Sequence, residues 1–194
     1  MISTTARFAT AVFLCFATQL LPGNSAQAGD PFAIFNDAPL IEAIKAGSLE
    51  KAQTALLAEG TSPNQRAGDG TPALVLAVTV HSLELVTLLV DQGARIDIAS
   101  TDGTTPLTLA AANGDTAIVS YLLDKKADVD KVGATRETAL IKAVRSHRED
   151  IVKILLDHSA DPNEADASGR SVLEIAKSSG QPSVVAMLKK KGAT

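Results

Sequence analysis

The chain of 194 residues is long enough for one domain with a real hydrophobic core, and its formal charge of −4 implies neither a nucleic-acid nor an anionic-membrane partner. Aliphatic residues and alanine dominate while aromatics make up only 3%, a composition suited to thin helices stacked closely. Cys15 is the one cysteine, so no intramolecular disulfide can form.

Met1 to Asp30 read as a segment apart from the fold. Arg7 is the only charge before Asp30, Phe8 to Leu21 is an apolar run, and Pro22-Gly23-Asn24-Ser25 leads into Ala26-Gln27-Ala28, a small-x-small site of the signal-peptidase type. This order predicts a signal peptide over residues 1–28, cut near Ala28, and an exported protein that is periplasmic or secreted. An uncleaved anchor or a mis-started cytosolic chain is the competing reading. The apolar run falls short of the roughly 20 residues that cross a bilayer, so the mature chain is expected to have no membrane span. Bulky Val12-Phe13-Leu14 before Cys15 argues against lipid attachment there. Cleavage would leave a cysteine-free chain, one unit more negative, compatible with an oxidising compartment.

Gly29 to Asn36 is a short lead-in whose Phe32, Ile34 and Phe35 suit a hydrophobic flap on the start of the fold. From residue 37 onward the apolar residues recur every 33 positions. Leu74, Leu107, Leu140 and Leu173 form one column, and Ala77, Ala110, Ala143 and Ala176 the next. Leu85, Ile118, Ile151 and Val184 come after them, then Val86, Val119, Val152 and Val185. Leu56, Leu89, Leu122, Leu155 and Leu188 line up at the same interval, as do Ala94, Ala127, Ala160 and Ala193. The alanines have a physical cause: stacked helices must approach closely, and a methyl is about the largest group that fits.

This period, with the start Thr105-Pro106-Leu107, resembles the ankyrin repeat, a turn followed by two antiparallel helices. The resemblance implies an all-α solenoid of about five helix-turn-helix repeats joined by β-turn or hairpin loops, over residues 37–68, 69–101, 102–134, 135–167 and 168–194. It implies a non-enzymatic scaffold or regulator of the exported, bacterial type that binds a protein. Many family members carry Thr-Pro-Leu-His, whose histidine ties adjacent turns together. Here that position holds Val75, Thr108, Ile141 and Glu174, so this tie is missing.

In repeat one, Asp37 is the expected N-cap, Pro39 lies in the first turn and Gly47 closes the helix. The second helix is expected to run through Leu56-Leu57 to Gly60. Polar Glu42 and Lys45 fit an end cap. In repeat two, Thr71-Pro72 is expected to start the helix. Repeat three is the closest match: Thr105 caps, Pro106 presets the first turn and Gly114 breaks between helices. Repeat four keeps Thr138 but has Ala139 for proline and lacks the Asp-Gly turn, with Gly133 expected to supply the backbone freedom. In repeat five, Lys189 stands where Val90, Leu123 and Leu156 stand upstream, which predicts a solvated end with no further repeat.

Catalytic or metal chemistry finds little support. His81 and His147 fall at the break between helices, where histidine tolerates a left-handed backbone and no second ligand sits at i+4. His158 ends a second helix, where a partly positive ring complements the dipole. Glu50, Glu84, Asp115 and Glu149-Asp150 open second helices, where negative charge is favoured. Asp128-Val129-Asp130 and Asp161-Pro162-Asn163 lack the ligand spacing of a calcium loop and suit side chains bonding their own turn. Lys189-Lys190-Lys191 is too small a footprint for nucleic acid. No cofactor or metal is expected, and a monomer is.

In the family, partners dock on turn tips and on the exposed side of the first helices. Carried onto this sequence, the tips include Arg66, Ser100, Val132 and Asp166. The resemblance, with the arginines that gather in the second half of this surface, assigns partner binding to Arg66, Thr71, Thr104, Asn113, Arg136, Glu137, Arg145, Ser146, Arg148 and Arg170. Repeat four combines the least regular turn with the most arginines, and the hot spot is expected there. A small-molecule or metal-binding accessory protein of the cell envelope is the alternative.

Overall fold

Seven-residue helices are too short to survive alone in water, so their stability has to come from tertiary packing. A computed structural model of the chain describes residues 37–133 and 136–194. The predicted leader (1–28) and lead-in (29–36) lie outside the described residues. Within those residues ten helices follow one another in pairs. They are α1 (Pro39–Lys45) with α2 (Leu49–Leu57), α3 (Ala73–Thr79) with α4 (Leu83–Asp91), α5 (Pro106–Asn113) with α6 (Thr116–Asp124), α7 (Ala139–Arg145) with α8 (Glu149–Asp157), and α9 (Val172–Ser178) with α10 (Pro182–Lys190). First helices pack on first helices and second on second, giving an all-α repeat solenoid.

The apolar columns form its core. Leu74, Leu107, Leu140 and Leu173 are buried, as are Ala77, Ala110, Ala143 and Ala176, and Leu85, Ile118, Ile151 and Val184. Leu89, Leu122, Leu155 and Leu188 are wholly buried. Leu56 does not join them. α2 starts one residue further from α4 than the later second helices start from one another, so Ala55 takes the place of Leu89, and Leu57 is 87% exposed.

Helix starts follow local chemistry, with two differences from expectation. Thr105 caps α5 by accepting from the Thr108 N–H, and the Thr108 hydroxyl accepts from the Thr105 N–H at 2.9 Å. Ser171 and Glu174 make the same reciprocal box on α9. Two of the four positions without the family histidine thus serve the caps. In repeat one the N-cap is Ala38 and not Asp37. The Asp37 carboxylate instead accepts from the Gly68 N–H at 2.8 Å and pairs with Lys45 at 2.5 Å. In repeat two Pro72 sits at the N-cap, in extended backbone paired with Arg66, so α3 begins at Ala73.

Between paired helices the chain turns through left-handed backbone at Gly47, Gly114 and Gly180, and at His81 (φ 54°) and His147 (φ 56°). The histidines hold turn positions, as their recurrence predicted.

Candidate partner-binding surface

The hairpins between repeats project as fingers, closed by short backbone ladders. In the hairpin between repeats one and two the Ala67 N–H donates to the Thr71 carbonyl at 2.9 Å, and in the one between repeats two and three the Ser100 N–H donates to the Thr104 carbonyl at 2.9 Å. Fingers this short have little core, so side chains brace them. The Asp69 carboxylate accepts from the Thr71 N–H at 2.8 Å, and Asp102 accepts from the Thr104 N–H at 3.0 Å and the Thr104 hydroxyl at 2.9 Å. These bonds from Thr71 and Thr104 hold both carboxyls below the ordinary carboxylate range. Arg66 joins one finger to the next, donating to the Gly70 carbonyl at 2.7 Å and to the Ala99 carbonyl at 3.1 Å.

At the base of the fingers runs a side-chain ladder. Asn64 accepts from the Arg95 N–H at 2.7 Å, Asp97 from Asp128 at 3.1 Å, Asp130 from Asp161 at 3.0 Å, and Asn163 from Thr194 at 3.1 Å. Each rung ties one turn to the next. Asp128 and Asp161 also accept from the N–H two residues on, at 3.2 and 2.9 Å, so these carboxylates serve the turns. Sequence reasoning placed the local bonds but missed the ladder, although Asn64, Asp97, Asp130 and Asn163 recur at the repeat period.

The fourth finger departs from expectation. Left-handed backbone falls on Arg136 itself (φ 53°), where Gly70, Gly103 and Gly169 stand in the other fingers. Gly133 serves a different purpose: a Cβ there would collide with the carbonyl of Gly103. Asp166, expected at an exposed tip, has a side chain only 3% exposed. It accepts from the Ser168 hydroxyl at 2.6 Å, the Ser168 N–H at 2.8 Å and the Arg170 N–H at 3.0 Å. Its other oxygen meets Arg145 at 2.5 Å and Arg170 at 3.0 Å. The Ser168 hydroxyl, with the backbone N–H groups of Arg170 and Ser168, holds this carboxyl far below the usual range against the opposing pull of burial.

Few of the repeat-four arginines are therefore free cations. Arg145 also pairs with Glu137 at 3.0 Å, and Lys142 pairs with Glu137 at 2.5 Å. The Arg148 guanidinium lies over Gly114, where a Cβ would meet its Cζ at 2.8 Å, and its Nε reaches the Ala112 carbonyl at 3.5 Å. Asn113 and Ser146 are half-buried at the ends of α5 and α7, and Asn113 reaches Asp115 at 3.4 Å. Asp115 in turn holds the His81 ring at 2.9 Å. Glu137, Arg145, Asp166 and Arg170 thus form one cluster, Thr71 and Thr104 lie on neighbouring fingers, and Arg136 stands exposed on its own turn.

Two grooves open between fingers. One of about 410 Å³ lies between repeats two and three, with Val75 and Leu109 along α3 and α5 and Thr71 and Thr104 beside it. The other, about 510 Å³, has Arg136 opposite Asp161, Glu164 and Asp166. Among the described residues no group of three or more His, Cys, Asp or Glu converges as a metal-binding set. No described helix is long and apolar enough to cross a membrane.

A family model described as ankyrin repeats in three copies matches residues 40–133 and again 128–194. No curated protein matches the chain. Repeats of this family are in general protein–protein interaction modules and typically non-enzymatic. With paired helices, hairpin fingers and a match over most of its length, the chain belongs to the ankyrin-repeat family.

Proposed function

We propose that the mature chain is an exported, non-enzymatic scaffold or regulator that holds a protein partner along its fingers and the neighbouring side of its first helices. The observation carrying this reading is that the fingers are braced before any partner arrives. Asp69, Asp102 and Asp166 each tie their own turn, and the ladder ties turn to turn. A pre-organised surface loses little conformational freedom on binding, so more of the contact energy appears as affinity. Arg66, Thr71, Thr104, Asn113, Arg136, Glu137, Arg145, Ser146, Arg148 and Arg170 are the candidate contacts. Arg136 ranks first among the arginines because the others lean on neighbouring groups of the same chain.

Export rests on the leader of residues 1–28, with its charged start, apolar run and Ala26-Gln27-Ala28 site in the required order. Affinity capture from the exported fraction with the chain beginning at Gly29, followed by binding to the purified partner, tests the interaction. Mass spectrometry of the native protein tests the leader, and an intact Met1 to Ala28 would sink that part.

A further inference from the structure

We propose that the groove between repeats two and three takes an extended segment of the partner, with basic side chains at i and i+3 around small apolar ones. The proposal rests on the protein-binding reading above and names the chemistry of its ligand. The groove is bordered by two carboxylates, Asp69 on one finger and Asp102 on the next, and among the described residues its lining holds no cation. Both stay ionised because the Thr71 and Thr104 bonds hold them below the ordinary carboxylate range.

The nearest cations are already engaged. Lys45 pairs with Asp37 at 2.5 Å and Lys142 with Glu137 at 2.5 Å. Arg66, off the groove lining, donates to the Gly70 and Ala99 carbonyls. The second half of the same face contrasts with this, since there Arg145 and Arg170 neutralise Glu137 and Asp166. A negative charge left open in a groove that is otherwise hydroxyl and apolar calls for a cationic partner.

Spacing sets the pattern. Adjacent packed helices lie about 8–10 Å apart, and an extended polyproline II segment rises about 3.1 Å per residue with about three residues per turn, so a segment crossing the two fingers turns side chains three positions apart to the same side, one toward Asp69 and one toward Asp102. Between them Val75 and Leu109 offer an apolar floor that suits small side chains, while exposed Thr79 and Thr101 border it.

The test uses the purified protein and a synthetic peptide with the core Lys-Ala-Val-Lys, flanked by glycine and serine, followed by NMR titration. Binding is expected, weakening as salt rises. The double substitution Asp69→Asn, Asp102→Asn should weaken it roughly tenfold in a variant that keeps its helical circular dichroism at the titration temperature, because asparagine keeps the turn acceptor. A peptide of the same composition with adjacent lysines should bind more weakly. Absence of binding by the first peptide, equal binding to the double variant, or indifference to lysine spacing would each overturn the proposal. A captured protein partner held equally by wild type and double variant would sink the groove and leave the protein-binding reading standing. Failure to capture any partner with either would count against both.

Discussion

Arg136 occupies a backbone position that glycine holds in the neighbouring fingers, with φ 53° against 84°, 78° and 80° at Gly70, Gly103 and Gly169. A side chain in left-handed backbone costs about 1–2 kcal/mol, part of which glycine returns through its greater freedom in the unfolded chain. Arg136→Gly is expected to stabilise the fold by about 0.5–1 kcal/mol, read from urea or thermal melts. Weaker partner capture by the stabilised variant would identify the strained arginine as a contact kept for binding. Asp166 makes the opposite kind of statement. Its folded pKa is depressed, so the stability it contributes is present above the unfolded value and is lost as pH falls through it toward the folded one. Melting temperature should decline below about pH 4. Asp37, Asp69 and Asp102 share that acid limb, so the readout is the difference between variants. Asp166→Asn should lower the melting temperature at neutral pH and flatten the decline. An identical acid limb in both proteins would remove Asp166 from the account.

Among the elements, the ladder at the base of the fingers shows which link each rung supplies. Asn64 and Asn163 are neutral acceptors, whereas Asp130 accepts the same kind of N–H as a carboxylate. Burial pushes the Asp130 carboxyl up, helped by Asp161 and Asp128, against the Asp161 N–H that favours the charge. A raised folded pKa means the ionised form costs stability above it, and the cost fades as pH falls through the folded value toward the unfolded one. Asp130→Asn keeps the rung and drops the charge. The melting temperature at pH 7 should rise by about 1–3 °C, and the gain should shrink as pH approaches about 4. A fall at pH 7 would show that the carboxylate's stronger hydrogen bond outweighs its desolvation.

For the whole molecule, stability is shared between neighbours because each repeat buries its apolar columns against the next. The last helix pair covers its neighbour and ties down its side chains. Gln181 donates to the Val144 carbonyl at 2.8 Å, Arg170 pairs with Asp166, and Lys191 with Asp157 at 3.0 Å. Truncation after Ala167 removes all of these and uncovers Val144, Leu155 and Leu156, which are now buried. Aggregation or a marked loss of helicity by circular dichroism is expected. Retention of the full melting temperature would show that α9 and α10 do not cap the stack.

The sequence by itself determined the repeat, the buried columns, the turn histidines and the cap at Thr105. Each of these depends on a residue's own conformational preference or on the spacing of apolar groups along the chain. The tertiary structure alone decided where the charges went. Asp166 reads as an exposed tip and Arg145 as a free cation until the hairpin of Asp166 and Arg170 folds back beside the end of α7 and brings the two side chains together. Gly133 reads as the flexible link until the approach of Gly103 shows that it is there for want of a Cβ. The Asn64, Asp97, Asp130 and Asn163 rungs recur in the sequence, but a recurring polar residue does not say which N–H it meets. Partners about 30 residues apart are set by how one hairpin lies on the next, and only the folded stack contains that geometry.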